Sequence, residues 1–147
     1  MKYLLDTNIL LYWVRGQTKI VNLLAELQAK ENRLYVSIVS VAEILALAHK
    51  FSWGNTKLTA IESLLSQLSV MMIDEVEWAR IYADIDAFSQ QKHPTLSLPA
   101  GMSARNMGKN DVWIATTATI LAATLLTTDK DFMHLNGVFF EVECVTI

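Results

Sequence analysis

Short apolar segments alternate along this chain with longer segments of helical periodicity. The short segments predict the central strands of a parallel sheet, which are apolar on both faces; they are 3–5, 34–37, 70–73, 125–127 and 139–145. Between them, apolar residues recur every three or four positions, as on the buried face of an amphipathic helix. The alternation predicts an α/β sandwich with right-handed crossovers between parallel strands.

Two of these crossovers contain more helical sequence than a single return helix needs. Breaks at Gly16 and in 51–55, where Gly54 and Asn55 supply turn chemistry, divide each into a helix pair. We expect the second pair, 41–68, to project as a clip that leaves Leu47, Phe51, Trp53 and Leu58 exposed for a partner. Residues 93–110 predict a long loop, and such loops are uncommon unless functional or mobile.

Composition bounds the kind of protein. With 147 residues, 52% of them hydrophobic, the chain predicts a single domain, 1–147, with its own core. The apolar runs are shorter than the ~18 residues of a membrane span. An acidic residue also follows the first residues too soon for a secretory signal, so we expect a cytoplasmic protein without membrane contact. Cys144 stands alone, which excludes an internal disulfide and cysteine-based zinc sites. A net charge of −3 argues against a broad DNA-binding face, but not against a nucleic-acid substrate bound through cations.

Four acidic residues stand where an apolar segment ends or a helix begins: Asp6, Glu43, Asp111 and Asp129. Each could simply cap a helix; 40–43 matches a capping box, and Asp74, which has the same local signature, is assigned to capping. The carboxyl ends of parallel strands, however, meet at one edge of a sheet, where open α/β folds bind ligands. We therefore expect the four acids to converge there.

Four converging carboxylates repel one another unless a cation neutralises them, and an all-oxygen ligand set suits Mg²⁺ or Mn²⁺ better than zinc. Such a site can activate water for in-line attack on a phosphodiester. No nucleophile arrangement competes, and the three histidines show neither ligand nor triad spacing. Lys109, Arg105 and Lys130 lie near this edge in sequence and are candidates for phosphate contacts, although a lone cation is more often a solvated surface residue.

The motifs around the acids, taken together, resemble the PIN-domain family, especially the small VapC-type ribonuclease toxins of toxin–antitoxin pairs. The matching segments are 3–10, 37–45, 110–118 and 126–132, in order and at family-like separations. The resemblance implies a five-stranded parallel sheet of order 3-2-1-4-5 in an α/β/α sandwich. It also implies a Mg²⁺- or Mn²⁺-dependent endoribonuclease, acting on RNA, that forms a homodimer and is held inactive by an antitoxin protein.

The same resemblance assigns roles to residues. Asp6, Glu43, Asp111 and Asp129 would be the catalytic, metal-binding quartet, with Asn8, Thr128 and Asp131 in support. A phosphatase of the haloacid dehalogenase type is an alternative, because an apolar strand leads into Asp6 and Asn8; its motif, however, needs a second aspartate at the position of Asn8. A second alternative is a non-catalytic interaction module of the PIN fold. The absence of one of the four acids would indicate such a module, and all four acids are present.

Overall fold

The computed structural model describes residues 1–147 and contains a five-stranded, all-parallel sheet in the order β3-β2-β1-β4-β5. The predicted sheet and strand order are confirmed. The strands are β1 (Lys2–Leu5), β2 (Arg33–Ser37), β3 (Ser69–Met71), β4 (Thr124–Thr127) and β5 (Val142–Cys144). The helices are α1 (Thr7–Val14), α2 (Thr18–Ala29), α3 (Ile38–Lys50), α4 (Asn55–Ser66), α5 (Val76–Ser89) and α6 (Lys109–Leu121), with a 3-10 helix at Lys130–Leu135.

Helices cover both faces of the sheet and make a three-layer sandwich. Successive side chains of a strand point to opposite faces, so Leu4 joins the cluster under α5 and α6, while Tyr3 and Leu5 join the cluster under the helices α1 to α4. Burial on both faces is why the strands are almost continuously apolar. No helix combines the length and apolar character needed to cross a membrane.

The last strand is shorter than the sequence predicts, because the apolar run begins in a turn. The Phe140 carbonyl accepts a hydrogen bond from the N–H of Gly137 at 2.8 Å, and Gly137 has a positive φ of 73°. The Asn136 side chain then accepts the Val142 N–H at 2.8 Å where β5 begins. Phe140 is buried against the α5–α6 side of the core, so its apolar character serves packing rather than strand pairing.

The capping-box alternative for 40–43 does not hold, and the assignment of Asp74 to capping is wrong. α3 begins directly after β2, with Ser37 as its N-cap accepting the Val39 N–H at 3.1 Å, so Ser40 and Glu43 lie inside the helix and form no capping box. Asp74 does not cap α5 either, because the N-cap residue is Glu75 and it makes no side-chain capping bond. The strand therefore passes into α3 without a loop, and the second turn of that helix presents Glu43.

The second helix pair, α3 and α4, packs against the core more closely than we predicted for a projecting clip. Ile44 and Ile61 are buried in the cluster with α1 and α2. Of the side chains expected to be wet, only Phe51 is exposed; Trp53 is half-buried, with the Lys57 ammonium 4.1 Å from its ring centre, and Leu47 and Leu58 are half-buried too. The prediction that Trp53 faces a partner is thus weakened, and Leu45 joins Phe51 as an exposed apolar side chain.

Candidate active site

Asp6 occupies the centre of the candidate site. It follows β1, caps α1 and is only 4% exposed. Its Oδ1 accepts the Thr7 N–H at 2.7 Å, and its Oδ2 accepts the hydroxyl of Thr127 at 2.7 Å. Burial raises the pKa of Asp6, the two hydrogen bonds lower it, and the charges of Asp129 and Glu43 raise it further. The two threonine contacts fix this carboxylate and favour its ionised form.

Thr7 and Thr127 connect Asp6 to two of the other acids. The Thr7 hydroxyl donates to Glu43 Oε1 at 2.8 Å and is hydrogen-bonded to the Ser40 hydroxyl at 2.9 Å. Thr127 Oγ1 accepts the Asp129 N–H at 3.0 Å while its own proton goes to Asp6. The strand ends and the second turn of α3 are thereby held in one hydrogen-bonded network.

Asp111 enters the site from the first turn of α6 and is half-buried. Burial, together with the charges of Asp6, Asp129, Glu43 and Asp131, raises its pKa from 3.8 to about 6. Those four carboxylates therefore lie within electrostatic range of Asp111. An acid whose pKa is raised by desolvation and by specific charged neighbours is typical of functional sites.

The four predicted acids thus share one edge of the sheet, but they are not gathered into a ready-made cage. No three Asp, Glu, His or Cys side chains of the protein lie close enough together to hold one metal ion. By donor chemistry they suit a hard divalent cation, because all the donor atoms are carboxylate oxygens. Their mutual repulsion, which with burial raises the pKa of Asp111, is what such a cation would neutralise. Their role as ligands stays a prediction.

The supporting residues differ in what they contact. The Asp131 N–H donates to Asp129 Oδ1 at 2.9 Å, and its exposed side chain lines a cleft shared with Asp111. Asn8 and Thr128 make no side-chain hydrogen bond. The threonines that do contact the acids, Thr7 and Thr127, were missed by sequence reasoning. Thr7 directly follows Asp6, which is a signal that could have found it, but Thr127 lies two residues before Asp129 and only the structure distinguishes it from Thr128.

Comparison with known proteins places this architecture. The family model described as "PIN domain" matches residues 3–138. The chain belongs to the PIN-domain family. The resemblance in the sequence is therefore confirmed, and the haloacid dehalogenase alternative has no support.

Known proteins and solved structures align along nearly the full chain. Ribonuclease VapC1 of Haemophilus influenzae is 27% identical over 136 residues, which cover 92% of each chain. The structure of VapBC-1 from nontypeable Haemophilus influenzae superposes with a TM-score of 0.70 at 27% identity and covers 98% of both chains. VapBC2 from Rickettsia felis, bound to a DNA fragment from their promoter, has a TM-score of 0.81 at 24% identity, covers 99% of this chain and 100% of that one, and supports the fold alone.

Two clefts flank the acidic edge. One, of about 340 Å³, is lined by polar residues of the loop before α6 together with Asp111 and Asp131. The other, also about 340 Å³, lies beside Glu43 and Asn110 and is otherwise lined by the small apolar side chains of α3. An extended polymer that crossed the acids would therefore meet a polar wall on one side and an apolar wall on the other.

Proposed function

We propose that this PIN-domain protein is an endoribonuclease that hydrolyses RNA phosphodiester bonds with Mg²⁺ or Mn²⁺, and that it is the toxin of a toxin–antitoxin pair. The observation that carries the proposal is the convergence of Asp6, Glu43, Asp111 and Asp129 at the carboxyl edge of the sheet, with Asp6 buried and hydrogen-bonded there. The similarity to a ribonuclease over 92% of the chain supports the reaction class.

Asp6, Glu43, Asp111 and Asp129 would hold the divalent ion, which when bound supplies a water of lowered pKa and positive charge beside the leaving oxygen. The residues of the chain prepare the site for it. Thr127 and Thr7 hold both oxygens of Asp6 in place, and each oxygen keeps a second lone pair free for a ligand. Thr7 also fixes one oxygen of Glu43 and leaves the other unpartnered.

Asp111 changes its protonation close to neutral pH, because its pKa is raised to about 6. Above that pH it is ionised and repelled by its neighbours, so its negative charge favours the arrival of a cation. Below that pH its carboxyl keeps a proton that a metal ion must displace, and apparent metal affinity should fall by up to tenfold per pH unit.

The test is the variant Asp6→Asn, which keeps the shape of the side chain and removes its charge. Purified Asp6→Asn should remain folded and lose Mg²⁺-dependent cleavage of single-stranded RNA, and its expression should no longer inhibit growth. Asp74→Asn is the matched control, because Asp74 is an exposed acid that follows β3 and contacts none of the four. Unchanged cleavage by folded Asp6→Asn would remove Asp6 from the mechanism.

The partners follow from the same proposal. The structures similar to this chain include VapBC complexes, so we propose a cognate antitoxin as its inhibitor and a homodimer as its assembly. The exposed apolar side chains of the second helix pair, Leu45 and Phe51, support an interface on that side. Co-expression of the chain with the product of an adjacent small reading frame should give a co-purifying complex that does not cleave RNA.

A further inference from the structure

The polar cleft beside Asp111 continues away from the acids. It is lined by Asp111 and Asp131 together with Ser103, Arg105 and Asn106. A second cleft of about 290 Å³ shares Arg105 and Asn106 with the first and continues past Gln90 and Lys92. The two clefts therefore adjoin at Arg105 and Asn106, and the first of them reaches Asp111 at the candidate active site.

Arg105 is the cation at the junction of these clefts, and it has no anionic partner. Its Nε and Nη2 contact only the Ser103 carbonyl, at 3.4 and 3.3 Å. The ion pairs of the protein are Lys30–Glu26 and His93–Asp84, so Arg105 pairs with no carboxylate, although Asp111 and Asp131 line the same cleft. A guanidinium with free donors is suited to bidentate contact with a phosphate.

The loop that carries Arg105 is fastened to two other elements through Ser89. The backbone N–H of Arg105 donates to the Ser89 carbonyl at 2.8 Å. The Ser89 hydroxyl is hydrogen-bonded to Nε2 of the buried His134 at 2.7 Å. The same hydroxyl contacts the Met107 sulfur at 3.3 Å. Burial, with the nearby Arg105 charge, lowers the pKa of His134 to about 4. A neutral His134 and Ser89 thus hold the loop in place before any ligand arrives, which lowers the entropy cost of binding.

The chemistry of the cleft walls selects an unpaired nucleotide. The first cleft holds no aromatic side chain and a single hydrophobic one, so a base there would be recognised by hydrogen bonds and not by stacking. The side-chain oxygen of Asn106 accepts a hydrogen bond from Gln90 Nε2 at 3.4 Å, which leaves the amide N–H groups and a second lone pair of Asn106 for a base edge, and Ser103 offers a hydroxyl. Base edges are free for such contacts in single-stranded RNA, whose nucleotides can be splayed out.

We propose that this cleft binds the nucleotide next to the scissile phosphodiester of single-stranded RNA, with Arg105 on its phosphate and Asn106 on its base edge. The inference rests on the proposed ribonuclease function, because it gives that site its substrate contacts. On this proposal Arg105 contributes affinity for RNA of any sequence, and Asn106 determines which base is preferred. Beyond Arg105, Lys92 would meet the next phosphate along the strand.

The experiment measures binding of a fluorescent single-stranded RNA by anisotropy over a series of KCl concentrations. The wild-type protein is measured in EDTA, and the Asp6→Asn protein with Mg²⁺, so that the RNA is bound and not cut. In both, adding Arg105→Ala should weaken binding about tenfold and reduce the slope of log affinity against log salt by about 0.7, the value for one phosphate contact on a single strand. Arg105→Lys should keep the slope and lose part of the affinity, because lysine retains the positive charge but cannot make the bidentate contact of a guanidinium.

Arg33→Ala is the matched control. Arg33 is exposed at the start of β2, at the opposite edge of the sheet from the acids, and it also lacks an ion pair. Its removal should leave affinity and slope unchanged. Equal effects of Arg105→Ala and Arg33→Ala, or no measurable binding by either starting protein, would overturn the assignment. Equal affinity for DNA of the same sequence would overturn the assignment to RNA.

Cleavage provides a second readout that separates this inference from the proposed function. Arg105→Ala should raise KM with little change in kcat, while Asn106→Ala should change which base flanks the cut, read by sequencing the RNA ends. A wild-type protein that binds RNA through Arg105 but cuts none would contradict the ribonuclease proposal, and with it the position beside a scissile phosphodiester, and would leave only RNA binding at the cleft. A wild-type protein that cuts RNA with the same KM and base preference as both variants would leave the ribonuclease and refute the cleft.

Discussion

The raised pKa of Asp111 predicts that this acid destabilises the metal-free protein, and that Asp111→Asn stabilises it. The folded protein holds the Asp111 proton with a pKa of about 6, against 3.8 for an unperturbed carboxyl. The difference of about two pKa units corresponds to about 3 kcal/mol at most. Because Asp111 is only half-buried, solvent screening reduces this to about 1–2 kcal/mol.

A second effect acts in the opposite direction. Asp111 lies in the first turn of α6, where a negative charge is stabilised by the helix dipole by about 0.5 kcal/mol, and the neutral asparagine side chain of the variant would lose that interaction. The net gain expected for Asp111→Asn is therefore about 1 kcal/mol, or a rise in Tm of about 3 °C for a chain of this size. The same substitution should weaken metal binding and cleavage, so stability and activity should change in opposite directions.

The sign of the pH dependence makes this prediction specific. Between pH 3.8 and about 6 the folded state binds the Asp111 proton more tightly than the unfolded state does, so this residue makes stability fall as pH rises. The gain from Asp111→Asn should therefore be complete above pH 6 and absent below about pH 4. Buried His134 has the opposite effect, because its pKa is lowered from 6.5 to about 4 and its contribution to stability is lost as pH falls through that range.

Urea denaturation in EDTA, followed by circular dichroism from about pH 4 to 8, measures both effects. In the wild type the opposite effects of Asp111 and His134 offset each other, so its free energy of unfolding should change little between pH 4 and 6. In Asp111→Asn only the effect of His134 remains, so the free energy of unfolding should fall steeply as the pH falls from 6 to 4. Asp74→Asn controls for removal of an acid outside the site. A gain that is the same at pH 4 and pH 8, or no gain at pH 8, would refute the electrostatic reasoning.

Three further variants test the network and the surfaces. Thr127→Val removes the hydroxyl that bonds Asp6 Oδ2 and should cost about 1–3 kcal/mol of stability and raise the metal concentration needed for cleavage; unchanged metal dependence would contradict its positioning role. Ser89→Ala leaves Nε2 of His134 without its partner and should cost about 1–3 kcal/mol by urea denaturation, and an equal stability to wild type would contradict that bond. Phe51→Glu should convert a dimer into a monomer by light scattering, and a wild-type chain that is already monomeric at high concentration would defeat the interface prediction.

The apolar pattern by itself determined the architecture of this protein. Strands that are apolar on both faces can be buried only in the middle of a sandwich, which is why Tyr3, Leu4 and Leu5 already indicate a covered parallel sheet. The acids at the strand ends and helix starts could be found in the same way, because parallel strands all end at one edge. The strand order came from the resemblance, since periodicity carries no information on which strands are neighbours.

The tertiary structure alone decided how the acids are held and how they titrate. Thr127 bonds Asp6 across 121 positions of sequence, and Thr7 bonds Glu43 across 36. The start of α3 at Ser37 and the late start of β5 at Val142 depend on polar contacts that the apolar pattern does not reveal, from the Val39 N–H to Ser37 and from the Val142 N–H to Asn136. Local sequence fixes which face of an element is apolar, but the partner of a polar atom is set by the crossovers that bring distant segments together, and those contacts also set the pKa values on which the chemistry depends.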